Sequence, residues 1–537
     1  MRYGLARVAL AVMWIGLSPL AAQVGEEPGW PVPLGVLTAF SAPYVAQLDP
    51  SLPDKVVFVP SGQQGILAFT AAGDPLPGWT FQGGQLFGIQ EFIRVGDIHG
   101  DGTSDVVYKP TSNGNFLEAV DQTGTLLPGF PLWVYGEFGS RFDNLLLADL
   151  VPGGGLEIVL AADNIGVGDA WVVVLDASGS PLPGWPKSFV VDHLTIAADD
   201  LNGDGLDDLV VATRDDCDCG DSPVYVYDGN GVAFPGWPAS PVGGFFEDAM
   251  WNPVISDLDG DGQKEIIGST LHRVFAMSLD GSMFRPAFVS TFNAGQVAVA
   301  DLDGDGRKEI VAGGSYLKVI DIDQGVISTN AGGAYFGFYP PSIADVDGDG
   351  MSEIAALSVG PTSFLHLYDM DLVDRPGFPF GVGSTQGFIQ VNLVDLEGDG
   401  DLELIHYHSL DIHAYDIPNT GPGSRWVQWG YHNGQHGKSA SSASTGAPFV
   451  RGDVDGGGSR NLADAITILG HLFVGNVPPI VCRDAADIDD SGDLDLADPI
   501  LLLQQLFVPG SGVVDPPCAV DSTADALECA GGIWCVD

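Results

Sequence analysis

Acidic side chains recur along the chain at a spacing that could hold a metal ion. The pattern is clearest in three segments, DLDGDGQKE at 257–265, DLDGDGRKE at 301–309 and DVDGDGMSE at 345–353. Each places carboxylates at positions 1, 3, 5 and 9, with glycines between them. Hard cations such as Ca²⁺ are bound by about six to eight oxygens on flexible loops. The segments therefore predict calcium loops with these ligands: Asp257, Asp259, Asp261, Glu265, Asp301, Asp303, Asp305, Glu309, Asp345, Asp347, Asp349 and Glu353.

Five further segments follow the same frame. Three of them, at 97–105, 200–208 and 395–403, keep most of the oxygens, although His99 takes position 3 of the first. Their predicted ligands are Asp97, Asp101, Asp105, Asp200, Asn202, Asp204, Asp208, Asp395, Glu397, Asp399 and Glu403. The segment at 149–157 lacks the middle acids, and the segment at 49–55 keeps only the frame. Eight units thus begin at intervals of 44 to 57 residues.

The units also share the elements that must position these loops. A short apolar run enters the loop, as at 297–300, and a β-rich run leaves it, as at 309–312. Many units close with a Pro-Gly-aromatic segment such as LPGWP at 182–186. Short strands bounded by Gly, Pro and Asp indicate an all-β protein, and about 40–50 residues is the size of one propeller blade. The sequence predicts an all-β propeller of eight blades; seven blades and a degenerate flanking unit are the alternative.

The recurring pattern ADLDGDGxxEI resembles the FG-GAP/VCBS repeats of integrin-α-like β-propellers, over roughly residues 40–437. The segment WVQWGYHNGQHG at 426–437 is similar to the stretch that often follows the last such blade. The resemblance implies that residues 23–437 form the propeller.

A second module is predicted beyond a Ser-rich linker at 438–449. Residues 450–510 contain two loops, DVDGGGSRNLAD at 453–464 and DIDDSGDLDLAD at 487–498, each followed by an apolar run with helical spacing. Oxygens at positions 1, 3, 5 and 12 with Gly at 6 are typical of an EF-hand loop, except that Gly457 takes position 5 of the first copy. The predicted ligands are Asp453, Asp455, Asn461, Asp464, Asp487, Asp489, Ser491, Asp493 and Asp498.

This module resembles a type I dockerin, which implies two calcium loop–helix repeats and a cohesin-like protein partner. Ile466 and Ile500 are apolar where the recognition positions of that family are usually polar. Two interpretations stay open: a docking module, or a calcium-stabilised helical cap.

The charge balance restricts the partners. The chain has 71 acidic against 20 basic residues, a formal net charge of −51. Phosphate binding needs a basic footprint, so nucleic acid and anionic membrane surfaces are excluded as expected partners. With 45% hydrophobic residues the chain can still bury a core. Cations, or surfaces bridged by cations, are the expected partners.

The N-terminus predicts export. Arg2 and Arg7 precede an apolar run at 8–17, and small residues near Ala22 offer a cleavage site, so residues 1–22 are predicted to be a signal peptide. A membrane anchor is the alternative, but the run is short for a bilayer. The mature protein is expected to be secreted or at the cell surface, without membrane insertion.

Six cysteines agree with an oxidising compartment. Four lie in or after the C-terminal module, and of their three possible pairings we favour Cys482–Cys518 and Cys529–Cys535, the latter within the tail at 511–537. For Cys217 and Cys219 a local disulfide is favoured over a metal site.

No motif specific for catalysis is present, and no residue is assigned a catalytic role. His406 and His408 fall on one face of a predicted strand, and with His413, His432 and His436 they cluster near the last blade, where packing is favoured over a metal or catalytic site. The sequence therefore predicts a secreted calcium-binding adhesion or scaffold protein, with a protein partner, an extracellular polysaccharide or both. The alternative is a carbohydrate-active enzyme, a polysaccharide lyase or hydrolase, which rests on analogy between folds.

Overall fold

The structure is a computed structural model of the 537-residue chain. It describes residues 25–33, 43–49, 55–61, 65–77, 79, 93–109, 116–133, 141–164, 169–214, 223–240, 253–270, 273–289, 294–321, 323–330, 341–347, 349–360, 362–383, 391–398, 401–408, 411–417, 425–427, 452, 454, 462–473, 485, 486, 488 and 497–507.

Eight antiparallel sheets make up most of the described chain, and each is one blade. Blades 1 to 4 contain β3 (Tyr44–Ala46), β4 (Val56–Ser61) and β5 (Gly65–Phe69); β6 (Ile93–Gly96), β7 (Asp105–Tyr108), β8 (Phe116–Val120) and β9 (Leu132–Trp133); β10 (Arg141–Ala148), β11 (Glu157–Asn164), β12 (Asp169–Leu175) and β13 (Lys187–Phe189); and β14 (His193–Asp199), β15 (Asp208–Arg214) and β16 (Val224–Tyr227).

Blades 5 to 8 follow in chain order and take in the two N-terminal strands. They contain β17 (Val254–Ser256), β18 (Glu265–Ser269), β19 (Arg273–Met277) and β20 (Met283–Val289); β21 (Ala294–Ala300), β22 (Glu309–Gly314), β23 (Lys318–Asp321) and β24 (Gly325–Thr329); β25 (Ser342–Asp345), β26 (Glu353–Ser358), β27 (Ser363–Tyr368), β28 (Phe380–Gly383) and β32 (Arg425–Val427); and β29 (Asn392–Val394), β30 (Glu403–His408), β31 (Asp411–Asp416), β1 (Gly25–Glu26) and β2 (Val32–Pro33).

The core of the propeller lies between the blades. The strands are rich in Val, Ile, Leu and Ala, and buried residues of each blade share an apolar cluster with buried residues of the next. The last cluster joins blade 8 to blade 1, where Val394 and Ile412 pack with Val57. The ring is therefore closed with eight blades. The predicted eight-bladed all-β propeller is confirmed, and the seven-bladed alternative is wrong.

The N-terminal strands complete the last blade. Val32 of β2 pairs with Ile412 of β31, and Gly25 of β1 pairs with Asp416 of the same strand. Between them Trp30 is buried in the cluster of blades 8 and 1, and its Nε1 donates a hydrogen bond to the carbonyl of Ala71 in blade 1 (2.9 Å). The segment at 28–31 repeats the Pro-Gly-Trp-Pro that closes other blades, so the sequence contains a signal for ring closure at its N-terminal strands. Residues 425–427, at the predicted closing stretch, instead pair with β25 of blade 7.

All acidic segments lie on one face of the ring. The first strands of successive blades contact one another, as β17 contacts β21 and β21 contacts β25, so the first strand of each blade is the innermost. The acidic segments connect the first strand to the second, which places them at the same end of every blade. We call the segments at 49–55, 97–105, 149–157, 200–208, 257–265, 301–309, 345–353 and 395–403 loops 1 to 8.

Two helices lie where the C-terminal module was predicted. α1 (Leu462–Phe473) and α2 (Ala497–Phe507) contact each other, and Ile468 and Leu502 share their buried cluster. Asp464 is buried, and its Oδ1 accepts a hydrogen bond from the Val454 amide (2.8 Å). The side chains of the other predicted ligands of this module lie outside the described residues, so the dockerin-like arrangement stays a prediction.

The predicted signal peptide, the linker, the tail and all six cysteines also lie outside the described residues. Among the helices that are described, neither has the length and the apolar character needed to cross a membrane.

Trp30→Ala is expected to destabilise the propeller by about 3–5 kcal/mol, because it removes a buried indole from the junction that closes the ring. Trp30 is 7% exposed, whereas Trp133, on the outer strand of blade 2, is 51% exposed. Urea unfolding of Trp30→Ala and of the control Trp133→Ala measures the difference. Equal decreases in the free energy of unfolding of the two variants would contradict ring closure by the N-terminal strands.

Candidate metal centres

The first aspartate organises the loop backbone in loops 2, 4, 5 and 6. In loop 5, Oδ1 of Asp257 accepts a hydrogen bond from the Gly260 amide (2.8 Å), and Oδ2 accepts one from the Gly262 amide (2.9 Å). Both glycines have positive φ, 76° and 87°, a conformation that residues with a Cβ rarely adopt. Loops 2, 4 and 6 repeat these two bonds. The glycine spacing in the sequence therefore reflects the turn that wraps the loop around this carboxylate.

The carboxylate at position 9 is fixed by the strand that it begins. Glu265 is the first residue of β18, and its Oε2 accepts a hydrogen bond from the Leu258 amide (3.0 Å). Equivalent bonds at 2.7–3.0 Å hold Glu157, Glu309, Glu353 and Glu403. Each of these glutamates is buried, so the loop presents it in one orientation.

Three loops bring carboxylates together at a spacing that fits a metal ion. The three sets each have their ligand oxygens within 4.8 Å of one another: Asp257, Asp259 and Glu265; Asp301, Asp303 and Glu309; Asp345, Asp347 and Glu353. Oxygens bound to one Ca²⁺ at about 2.4 Å can be at most about 4.8 Å apart. Loops 5, 6 and 7 could therefore each hold a cation through positions 1, 3 and 9.

The position-5 aspartates of these loops lie outside the clusters. Oδ1 of Asp261, Asp305 and Asp349 instead accepts the amide hydrogen bond of the residue two positions later, at 2.8–2.9 Å. These carboxylates close the turn. Only the carboxylates at positions 1, 3 and 9 of each loop lie within the cluster.

Loops 2, 4 and 8 do not form such a cluster among the residues that the structure describes. In loop 2, His99 Nδ1 lies 3.0 Å from Oδ2 of Asp105. In loop 4 the shorter Asp208 replaces glutamate, and its Oδ2 accepts from the Leu201 amide (3.1 Å). In loop 8, Asp395 and Glu403 keep their backbone bonds, and Asp399 lies outside the described residues.

The clusters are electrostatically costly without a cation. Burial raises the pKa of Glu265, Glu309 and Glu353 to about 7, and the neighbouring aspartates add to the shift. In loop 8 burial raises the pKa of Glu403 to about 9. Both effects disfavour the ionised form, and a bound cation would reverse them.

Neighbouring loops are joined through position 8, a feature that the sequence analysis missed. The Lys308 amide of loop 6 donates to the Leu258 carbonyl of loop 5 (3.0 Å), and its Nζ donates to Oγ of Ser256 (3.0 Å). Lys264 of loop 5 reaches back in the same way and pairs with the buried Asp199 of blade 4 (2.8 Å). The available signal was the lysine that precedes the final glutamate in both DLDGDGxKE segments.

The described histidines of blade 8 lie at the ring closure. His406 and His413 are cross-strand partners with stacked rings, 5.4 Å between centroids, and His406 is fully buried. His413 Nδ1 lies 2.5 Å from Oε1 of Glu26 in the N-terminal strand β1. This arrangement joins the ends of the ring. The side chain of His408, together with His432 and His436, lies outside the described residues.

Blade 7 contains a Ser–His–Asp chain that the sequence analysis missed, because its members are eight residues apart on two strands and a turn. His366 Nε2 lies 2.9 Å from Oγ of Ser358, and its Nδ1 lies 3.0 Å from Oδ1 of Asp374. Ser358 is only 5% exposed, and the same Nδ1 meets the hydroxyl of Tyr368 at 2.7 Å. Asn330 of blade 6 also donates to that hydroxyl (3.0 Å). The Ser358, His366 and Asp374 side chains therefore belong to a hydrogen-bond network between two blades, and the serine is shielded from substrates.

Comparisons with known proteins agree with the fold. The FG-GAP-like repeat model matches residues 200–268, which include loops 4 and 5. No curated protein matches the sequence. Among solved structures, the biofilm matrix protein Bap1 of V. cholerae is 14% identical, with 76% of this chain and 93% of that chain covered and a TM-score of 0.53. The Dos1 propeller is 10% identical over 73% of this chain and 96% of that chain, with a TM-score of 0.44. The FG-GAP-like repeat is confirmed for the matched residues, and the Bap1 likeness supports the propeller fold.

The cation-free protein is expected to lose stability as pH rises from about 5 to about 8. A carboxyl whose pKa is 4.5 when unfolded and about 7 when folded favours the folded state fully below 4.5, and this contribution is lost as pH rises through 7. Melting temperatures in chelator across this range measure the effect.

Glu309→Gln is the matched control, because its amide oxygen can still accept the Leu302 hydrogen bond. The melting temperature of this variant, measured as a difference from that of the original protein, should increase as pH rises. A difference that is independent of pH would contradict the elevated pKa of Glu309.

Proposed function

We propose that the protein is a secreted calcium-binding adhesion or scaffold protein, in which the propeller presents a ligand surface and the C-terminal module mediates docking. The observation that carries the proposal is the set of three carboxylate clusters on one face of a closed ring. Cations bound there would stabilise the scaffold rather than perform chemistry.

Calcium is the cation that suits these clusters best. The described ligands are all carboxylate oxygens, whereas zinc and copper sites favour imidazole or thiolate. Glycine-rich loops also suit the variable geometry of Ca²⁺ better than the strict octahedron of Mg²⁺.

An extracellular setting supports the same choice. Extracellular calcium modules bind with dissociation constants on the order of 10⁻⁴–10⁻³ M, and residues 1–22 are predicted to be a signal peptide. Bap1, which is similar in fold, is a biofilm matrix protein. A net charge of −51 also favours contacts with anionic polysaccharides through bridging cations.

The docking role is supported by two equivalent exposed side chains. Ile466 of α1 and Ile500 of α2 follow the last position of their loops by two residues, and they are 59% and 44% exposed. Apolar side chains at matching positions of two helices suit a protein partner. We propose a cohesin-like protein as that partner.

A pull-down with the mature protein against envelope proteins and polysaccharides, in calcium and in chelator, tests the function. A partner retained only in calcium supports an adhesion or scaffold role. A polysaccharide that is shortened rather than retained would overturn it and favour a carbohydrate-active enzyme.

Calcium is expected to raise the melting temperature strongly. At about ten times the dissociation constant each site adds about 1.4 kcal/mol, so several sites together approach the stability of a typical domain, about 5–15 kcal/mol. Asp303→Ala combined with Asp305→Ala should remove the contribution of one site to the calcium-dependent rise in melting temperature. Thermal unfolding with calcium and with EDTA measures it.

Asp371→Ala is the control for this measurement, because it removes an exposed carboxylate outside the loops. It should keep the full calcium response. Identical melting in calcium and EDTA would refute the calcium proposal.

A further inference from the structure

Blade 7 differs from blades 2, 3 and 4 at one position of its outer segment. The Arg375 amide donates to the Leu367 carbonyl of the third strand (2.8 Å), and equivalent bonds at 2.9 Å are made by Leu127, Leu182 and Phe234 in blades 2, 3 and 4. These bonds show that the four residues are structurally equivalent. Only blade 7 has a basic residue among them.

The Arg375 side chain turns back into loop 7 of its own blade. Its Nη1 lies 3.0 Å from Oε1 of Glu353, and its Nη2 donates to Oδ2 of Asp347. Both carboxylates belong to the cluster of loop 7. The Arg375 side chain is 26% exposed, so water screens the contact only in part.

In loop 6 the neighbouring arginine makes a different contact. Arg307 pairs with Asp323 at 2.6 Å, outside the cluster of Asp301, Asp303 and Glu309. The carboxylates of loop 6 therefore remain available to a cation, whereas two of the three in loop 7 hold a positive charge supplied by the chain.

We propose that Arg375 is an internal competitor for the cation of loop 7. This inference rests on the proposed function, in which the loops bind calcium. The guanidinium and Ca²⁺ need the same two carboxylates, those of Asp347 and Glu353, and two positive charges at one position repel strongly. Calcium must therefore displace Arg375, and loop 7 binds calcium more weakly than loops 5 and 6.

The competition also sets how blade 7 behaves when calcium is scarce. The guanidinium of Arg375 lies against two of the three carboxylates, so the arginine compensates part of the charge that an ion would neutralise. Loop 7 thus keeps its conformation without an ion, and loops 5 and 6 depend on one. Calcium fills the loops in order, with loop 7 after loops 5 and 6.

Counting bound ions by native mass spectrometry over a series of free calcium concentrations tests the proposal. Arg375→Leu introduces the residue found at this position in blades 2 and 3, and Arg375→Gln is a second, more polar variant. Both should bind one more ion than the original protein at limiting calcium, with half-filling of that site at about tenfold lower calcium. Arg307→Leu, the matched control, should bind the same number as the original protein.

Two further measurements identify the site. Adding Asp347→Asn to Arg375→Leu should abolish the extra ion. In chelator, Arg375→Leu should melt below the original protein, and calcium should restore it. Calcium binding that is unchanged in both Arg375 variants would overturn the role of Arg375 and leave the calcium function standing, whereas an absence of bound ions in every protein would overturn both proposals.

Discussion

A buried carboxylate at the start of the second strand is the constraint on which the propeller depends. Glu265, Glu309 and Glu353 each tie a loop to its blade through one backbone amide, and burial raises the pKa of all three to about 7. The hydrogen bond to the glutamate fixes the conformation of the loop, and burial raises the free energy of the ionised carboxylate. The aspartates at positions 1 and 3 increase this cost and also provide the means to remove it, since together with the glutamate they form a site for a cation.

The degenerate loop 3 separates these two roles. Glu157 lacks acidic neighbours at positions 3 and 5, yet its Oε2 still accepts the amides of Leu150 and Val151 at 2.8 and 3.3 Å. The structural bond is therefore present in a loop that lacks the acids at positions 3 and 5. Loop 3 is also hydrogen-bonded to loop 4. The Asp207 amide donates to the Asp149 carbonyl (2.7 Å), and Oδ2 of Asp207 accepts a hydrogen bond from the Asp149 amide (2.9 Å).

The sequence predicted the loops well because the carboxylates at positions 1, 5 and 9 of the repeat each accept a local backbone hydrogen bond. Eight repeats predicted eight blades, since one loop joins the first two strands of one sheet. Contacts between residues that are distant in the sequence were not predictable in this way. Trp30 meets Ala71 only when the ring closes, and Arg375 meets Asp347 only because its side chain turns back into the loop of its own blade. Position 5 was predicted as a ligand from its spacing; in the structure those aspartates accept an amide hydrogen bond within the turn, and their role as ligands stays a prediction.

The differences among the loops are as informative as their likeness. Within the part of the chain that the structure describes, the carboxylates of loops 5 and 6 form no ion pair, although Lys308 and Arg307 lie near enough to interact electrostatically with Asp257 and Asp259. Loop 7 gathers the same set around Arg375, and loop 3 lacks the acids at positions 3 and 5. Under the proposed function, one backbone conformation would be stabilised by three different means: an external cation, a guanidinium of the chain, or a backbone hydrogen bond alone. A chain with a net charge of −51 that relied on the first means in every blade would lose much of its stability without calcium. Combining the three would let calcium tune the stability of particular blades while the ring stays closed.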